Sequence, residues 1–221
     1  MMKQILISLL FLTAASCVSQ KKEAKHNTFE IYDHSLLQSL ASVQSSLERQ
    51  RTEISFTNGT ANNCAEYLSL KKRSMVESNT RNLLVKSEYL ECDVIGIVRS
   101  HYNSRPQPKD NAEHFGQLLA TKLDLSTLKT SLGNLLTDDK QTIMALFPSE
   151  VAINPNSVTI SSPSRHFKVE VVAVGNINNN SHPDWIAYLS DELLDSNYSN
   201  FATLIIYDPS AKQGGFTAEQ Q

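Results

Sequence analysis

The hydrophobic period of this chain changes near residue 150, and that change constrains the fold more than any other feature. Before it, apolar residues recur at three- and four-residue spacing, the period of a helix with one buried face. Leu36, Leu40, Val43, Leu47 and Ile54 form a first stripe, with Asp33 placed to cap its start and Arg49 and Arg51 suited to the negative end of the helix dipole. Asn58-Gly59 breaks the chain. Asn63 then caps a second helix, with Glu66 in capping-box position and Tyr67, Leu68 and Met75 on its buried side. A third helix starts near Thr80, with Leu83, Leu90, Val94 and Ile97 along one face. Residues 101–111, with Pro106 and Pro108, read as a loop. Residues 112–122 predict a helix that buries Phe115, Leu118 and Leu119. Residues 123–136 read as short helical turns, and residues 141–147 as one more helix, stopped by Pro148.

Beyond residue 150 the signals are those of strands. Residues 151–153 and 157–160 flank Asn154-Pro155-Asn156, a hairpin turn. Phe167, Val169, Val171 and Ala173 alternate with Lys168, Glu170, Val172 and Val174, so one strand passes from half-buried to fully buried. Residues 185–189 and 202–207 make two more strands. Helices first and strands second predict an α+β fold, in which a mainly helical region (29–148) packs with a mainly antiparallel β-sheet region (149–209), followed by a flexible tail (210–221).

The N-terminus reads as a targeting segment. Lys3 precedes an apolar run over residues 5–12, too short to span a bilayer, and Ala14-Ala15-Ser16 precede Cys17. Ala14-Ala15-Ser16-Cys17 resembles the bacterial lipobox. That resemblance implies removal of a signal peptide over residues 1–16, acylation of Cys17 and attachment to the membrane through the lipid. An ordinary signal cleaved near Ala15 is the alternative. Val18 stands where aspartate marks inner-membrane retention in enteric lipoproteins, so the resemblance favours the outer membrane, facing the periplasm. Residues 17–28 carry Lys21, Lys22, Glu23 and Lys25 and read as a solvated tether. Lys+Arg 20 against Asp+Glu 23 leaves no basic face for nucleic acid.

With Cys17 lipidated, Cys64 and Cys92 remain. In an oxidising envelope an isolated pair closes a disulfide, which here would staple a helical hairpin. Two buried free thiols are the alternative.

The most specific local pattern is Gly175-Asn176-Ile177-Asn178-Asn179-Asn180-Ser181-His182-Pro183-Asp184-Trp185, between two strong strands. Its spacing resembles calcium loops of the form D-x-[DN]-x-[DN]-G-x-x-D, in which alternate side chains supply oxygens to a hard cation. Asn176, Asn178 and Asn180 would take the first, third and fifth positions, His182 would offer its backbone carbonyl, and Asp184 would close the site. Asparagines replace the usual aspartates, Ser181 replaces the turn glycine, and Ala187 stands where glutamate is usual. Affinity follows ligand charge, so the pattern predicts a metal-free turn, with a weak calcium site as the alternative and no other cofactor. The segment from Leu123 to Pro209, with this loop and the acidic cluster Ser190-Asp191-Glu192, is similar to the C-terminal half of a group of uncharacterised proteobacterial lipoproteins. Their hallmark is an N-x-D-G-x-x-D-W loop, degenerate here, and the resemblance implies no activity.

No zincin histidine pair, nucleophile elbow or phosphate-cradling glycine loop is present. Asp184, Asp191 and Glu192 have the chemistry for paired-carboxylate work on a sugar, but a place on a solvated rim or turn accounts for them more simply. The sequence therefore predicts a non-catalytic envelope module that binds a partner protein or maintains structure. A hydrolase of envelope polymer and an inhibitor or immunity-type lipoprotein are the competing functions.

Overall fold

The computed structural model describes residues 28–101, 105–110, 114–180, 182–212 and 214–221. The signal peptide, Cys17, the tether up to residue 27 and Ser181 lie outside the described residues. In chain order the elements are β1 (Thr28–Ile31), α1 (His34–Ala41), α2 (Val43–Glu48), β2 (Ile54–Phe56), β3 (Gly59–Ala61), α3 (Cys64–Lys71), α4 (Thr80–Val85), a 3₁₀ turn (Lys86–Tyr89), α5 (Leu90–Ser100) and β4 (Arg105–Pro108). There follow α6 (Phe115–Lys122), 3₁₀ turns at Leu125–Thr127 and Gly133–Leu135, α7 (Ile143–Leu146), β5 (Val151–Ile153), β6 (Ser157–Ser162), β7 (Arg165–Gly175), β8 (Asp184–Leu193), β9 (Ser199–Ile206) and β10 (Glu219–Gln220).

The fold is α+β. Strands β10-β9-β8-β7-β1-β4 form one sheet, and β5-β6 join it through the first half of β7. All pairings are antiparallel except β1 with β4. Both faces are covered. Phe167, Val169, Val171, Trp185, Ala187, Leu189, Ala202, Leu204 and Ile206 face a core closed by α6, α7 and Phe216. Phe29, Ile31, Val172, Ala173 and Ile186 face a second core closed by α1 to α5 and the β2–β3 hairpin.

The sheet pivots on a bulge in β7. Val171 pairs with Ala187 and Ala173 with Ile186, so Val172 has no opposite number. One extra residue resets which side each side chain faces. Ala173, expected on the same face as Phe167 and Val169, therefore lies on the opposite one with Val172, and Val174 returns to the first. The bulge coincides with a change of neighbour: β7 pairs with β6 before it and with β1 after it, and the Tyr32 N–H donates to the Val172 carbonyl at 2.9 Å. Two glycines permit close approaches. A Cβ on Gly175 would lie 2.4 Å from the Phe29 ring. One on Gly116 would lie 2.0 Å from the Asn154 carbonyl oxygen, where α6 seats on the β5–β6 turn.

Other expectations are corrected. Thr28–Ile31 is a paired sheet strand, not tether or helical region, and its alternation of Phe29 and Ile31 with Glu30 is the signal for it. Ile54 begins a strand rather than continuing a helix, and the Asn58-Gly59 break belongs to a β-hairpin. Met75 is 76% exposed because α3 ends at Lys71, a turn before it. Leu83 is only partly buried, and Val85 and Asn82 face inward from α4 instead. Pro106 and Pro108 sit in an edge strand, where a missing N–H is tolerated. The helix expected from residue 112 starts at Phe115, and residues 111–113 lie outside the described set. The tail is folded: Phe216 is 1% exposed and β10 pairs with β9. No described helix is long and apolar enough to cross a membrane.

Caps fall where short polar residues allow. Asp33 accepts from the Ser35 and Leu36 N–H groups, and Asn63 from Glu66. Cys64 and Cys92 form a disulfide with a Cα–Cα distance of 5.1 Å, joining α3 to α5. Arg49 and Arg51 both pair with Glu91 on α5 rather than serving a helix end.

Candidate functional site

The Asn-rich loop joins two adjacent antiparallel strands, with Gly175 opposite Asp184. Asp184, the last residue before Trp185 fills the core, is fully buried. Its Oδ2 accepts from the N–H groups of Ile177 (2.7 Å) and Asn178 (3.1 Å), and its Oδ1 from that of Asp208 (3.0 Å). A buried carboxylate is stable when charge-assisted hydrogen bonds fill its lone pairs, and here they do. Asn178 donates its side-chain amide to Asp184 (3.4 Å) and Asp208 (3.3 Å), and Asn180 donates to Asp208 at 2.7 Å. Their carbonyl oxygens take the next backbone donors: Asn180 N–H to Asn178 at 3.2 Å, and His182 N–H to Asn180 at 2.7 Å. Asn176 donates to the Asn180 carbonyl, and Asn179 adopts left-handed backbone at φ 60°.

The structure therefore brings Asn176, Asn178, Asn180 and Asp184 together and adds Asp208. It does not fit them to a cation. A hard ion needs six to eight oxygens converging on one point. Here the Asn178 and Asn180 oxygens accept turn N–H groups, their amide hydrogens face the aspartates, and Asp184 is filled by backbone donors. His182 enters the network through its N–H and is exposed. The arrangement is a polar clasp that ties the β7–β8 turn to the chain leaving β9. Asp208, at φ 52°, was missed by sequence reasoning; its place just after a strand and before Pro209 is a turn signal.

The second acidic cluster is separate. Asp191 is fully buried, not on a rim, and accepts from the Ser131 N–H (2.5 Å), the Ser131 hydroxyl (2.6 Å) and the Tyr198 hydroxyl (3.2 Å). Burial, and then the Asp191 charge, push the Tyr198 phenol well above its ordinary pKa. Asp184 and Asp191 stand seven residues apart on β8, roughly 23 Å at the rise of an extended strand, too far to act on one glycosidic bond. Glu192 is partly exposed. Among the described residues, no group of three or more His, Cys, Asp or Glu side chains could hold a metal. His101 links the layers: its ring nitrogens lie 2.7 Å from the Ile97 carbonyl and 2.9 Å from that of Ile177 in the Asn-rich loop.

Sequence reasoning also missed an open cleft of about 1030 Å³ between the 3₁₀ turn after α4 and the β9–β10 edge. Lys86 and Lys129 line it, from segments 43 positions apart that carry no shared motif.

No protein-family model, curated protein or solved structure matches this chain.

Proposed function

We propose that this chain is a non-catalytic module of the bacterial envelope, held on a membrane by lipid at Cys17 with its folded domain facing the periplasm. The observation that carries the reading is the Cys64–Cys92 disulfide, since such bonds persist in oxidising compartments and are rare in the cytosol. The lipobox-like residues before Cys17 supply the means of attachment, and several acyl chains on one residue hold far more tightly than one. The non-catalytic part is supported by the carboxylates. Asp184 and Asp191 are buried, saturated by donors and at opposite ends of β8, so neither is free to take or give a proton to a substrate.

The test is fractionation of cells producing the wild-type chain or Cys17→Ser. The wild-type should sediment with outer membrane and enter solution only with detergent, whereas Cys17→Ser should lose that attachment. Wild-type protein found in the soluble fraction, or a Cys17→Ser chain that still needs detergent, would overturn the proposal.

A further inference from the structure

Asn58 and Gly59 stand at the tip of the β2–β3 hairpin. Phe56 pairs with Gly59, so Thr57 and Asn58 form the two-residue turn. The hairpin is fixed at its base, where Ile54, Phe56 and Ala61 are buried in the second core. Its tip is open to solvent, with Asn58 and Gly59 both exposed. Gly59 has φ 150°, a backbone conformation that L side chains rarely adopt, while a Cβ there would meet nothing closer than a Leu70 methyl at 3.6 Å. The backbone, rather than crowding, therefore requires glycine at this position. In consequence the peptide nitrogen that follows Asn58 carries no side chain to shield it.

The Asn58 side chain is equally unencumbered. Among the described residues its amide makes no hydrogen bond, while its main-chain N–H donates to the Ser74 hydroxyl at 3.2 Å. By contrast Asn63, Asn82, Asn156, Asn178 and Asn180 each commit a side-chain amide to an acceptor. Asn58 is also the only asparagine of the chain that is followed by glycine. The side-chain carbonyl carbon of an asparagine lies within reach of the next main-chain nitrogen through a five-membered ring. An intramolecular attack of that kind needs only the right local rotation. The Phe56–Gly59 pair is the last of three in its ladder, and a terminal pair at an exposed tip opens at little cost.

We propose that Asn58 is a site of spontaneous deamidation, through a cyclic imide formed with Gly59. The Gly59 nitrogen gives its proton to hydroxide and bonds to the Asn58 side-chain carbonyl carbon. The bond from that carbon to the amide nitrogen then breaks, and the nitrogen takes up a proton and leaves as ammonia. Water opens the ring at either of its two carbonyls. One product is an ordinary aspartyl residue. The other is an isoaspartyl linkage, whose main chain runs through the former side chain and is one carbon longer. The net change is a water consumed, an ammonia released and a negative charge gained, with nothing oxidised or reduced. A two-residue turn cannot take in an extra main-chain carbon and keep Phe56 opposite Gly59. The isoaspartyl form therefore loosens the tip and its bonds to Ser74, which now reach from Thr57 at 2.7 Å and Asn58 at 3.2 Å. The reading does not depend on lipidation, because every residue it uses lies in the folded domain.

Timed incubation of the full chain in detergent tests it, at mildly acidic and mildly alkaline pH, followed by peptide mapping with mass spectrometry and an assay for isoaspartyl linkages. The peptide that holds Asn58 should gain the mass of an amide-to-acid change, faster at alkaline pH, and part of the product should be isoaspartyl. Its rate in the folded protein should lie within about tenfold of the rate in the urea-unfolded chain, since the tip opens at little cost. Peptides that hold Asn156 and Asn178 should stay unchanged over the same time. Asn58→Gln, whose ring closure would need a strained extra member, should remain unmodified at that position with a melting temperature near that of the fresh wild-type. The aged wild-type should acquire a fraction that melts lower. An Asn58 that stays intact in the folded protein while the unfolded chain converts would overturn the proposal. So would equal conversion at Asn156 and Asn178, or conversion of Asn58 with no isoaspartyl product.

Discussion

At the scale of single residues, Asp184 is the group on which the Asn-rich loop depends. It lies at 0% exposure and accepts backbone N–H groups from Ile177, Asn178 and Asp208. Asp184→Asn keeps the shape but turns one acceptor into a donor facing a donor. Leaving buried N–H groups unmatched costs about 1–3 kcal/mol, more where a charge is lost. The expected loss is therefore about 2–4 kcal/mol, read as a lower denaturation midpoint in urea, equal with chelator or with calcium. A midpoint that calcium raises in the wild-type but not in Asp184→Asn would contradict the clasp. Gly116→Ala makes a separate case. Its Cβ would meet backbone oxygens of Asn154 and Ser157 at 2.0 and 2.3 Å, and neither can rotate away. The substitution should lower the midpoint by more than 1 kcal/mol, with roughly 3 kcal/mol expected for overpacking of this kind. A midpoint equal to the wild-type would show that α6 does not seat there. The sequence revealed that Asn176, Asn178, Asn180 and Asp184 belong together, because they are close along the chain. It did not reveal Asp208 or Ser131, which reach Asp184 and Asp191 across the fold, where local spacing carries no information.

At the scale of elements, the disulfide is the staple of the helical layer. Cys64 and Cys92 are 28 residues apart, and closing a loop of that length stabilises by about 3–4 kcal/mol in the chain-entropy account. Cys64→Ala/Cys92→Ala should lower stability by about that amount, as should reduction of the wild-type; chemical denaturation with and without reductant measures it. Indifference to reductant would mean the bridge does not form in the protein. The long strands were legible because alternation had room to show, as in Trp185, Ala187 and Leu189 against Ile186 and Tyr188. Of the short strands, β5 was marked by the Asn154-Pro155-Asn156 turn, but β1, β2 and β4 were not legible. Ile54 follows Leu47 by seven residues, which mimics two helical turns, and a three-residue strand is too short to contradict it. Likewise Pro106 and Pro108 signal a loop unless the strand has a free edge, which is a tertiary fact. The bulge at Val172 was hidden because all of Val171, Val172, Ala173 and Val174 are apolar, so nothing in the pattern marks the change of face.

At the scale of the whole molecule, two layers share one sheet, and buried tyrosines report on both. Burial pushes the Tyr89 phenol up to about 12 from 10.0, Arg51 opposing and nearby acids adding to it; its hydroxyl donates to the carbonyls of Thr52 and Ala61. Tyr67, on the same side of the sheet, is raised further by burial and then by Asp93, and Tyr198, just before β9, by burial and then by Asp191. In each case the unfolded chain releases its proton first as pH rises. Stability should therefore be unaffected by these groups below pH 10 and fall as pH climbs from 10 towards 12. Tyrosinate absorbance should appear together with loss of near-ultraviolet circular dichroism; free titration of every tyrosine near 10 with the fold intact would contradict the buried positions. The central claim is broader: an oxidised domain hung from a lipidated cysteine. Intact mass spectrometry of protein extracted from envelope membranes with detergent, under non-reducing conditions, tests it most directly. The account predicts a mature chain that begins at Cys17, carries acyl groups there, and lacks two hydrogens through the Cys64–Cys92 bond. A chain with an unmodified N-terminus, or with both of those cysteines free, would contradict it.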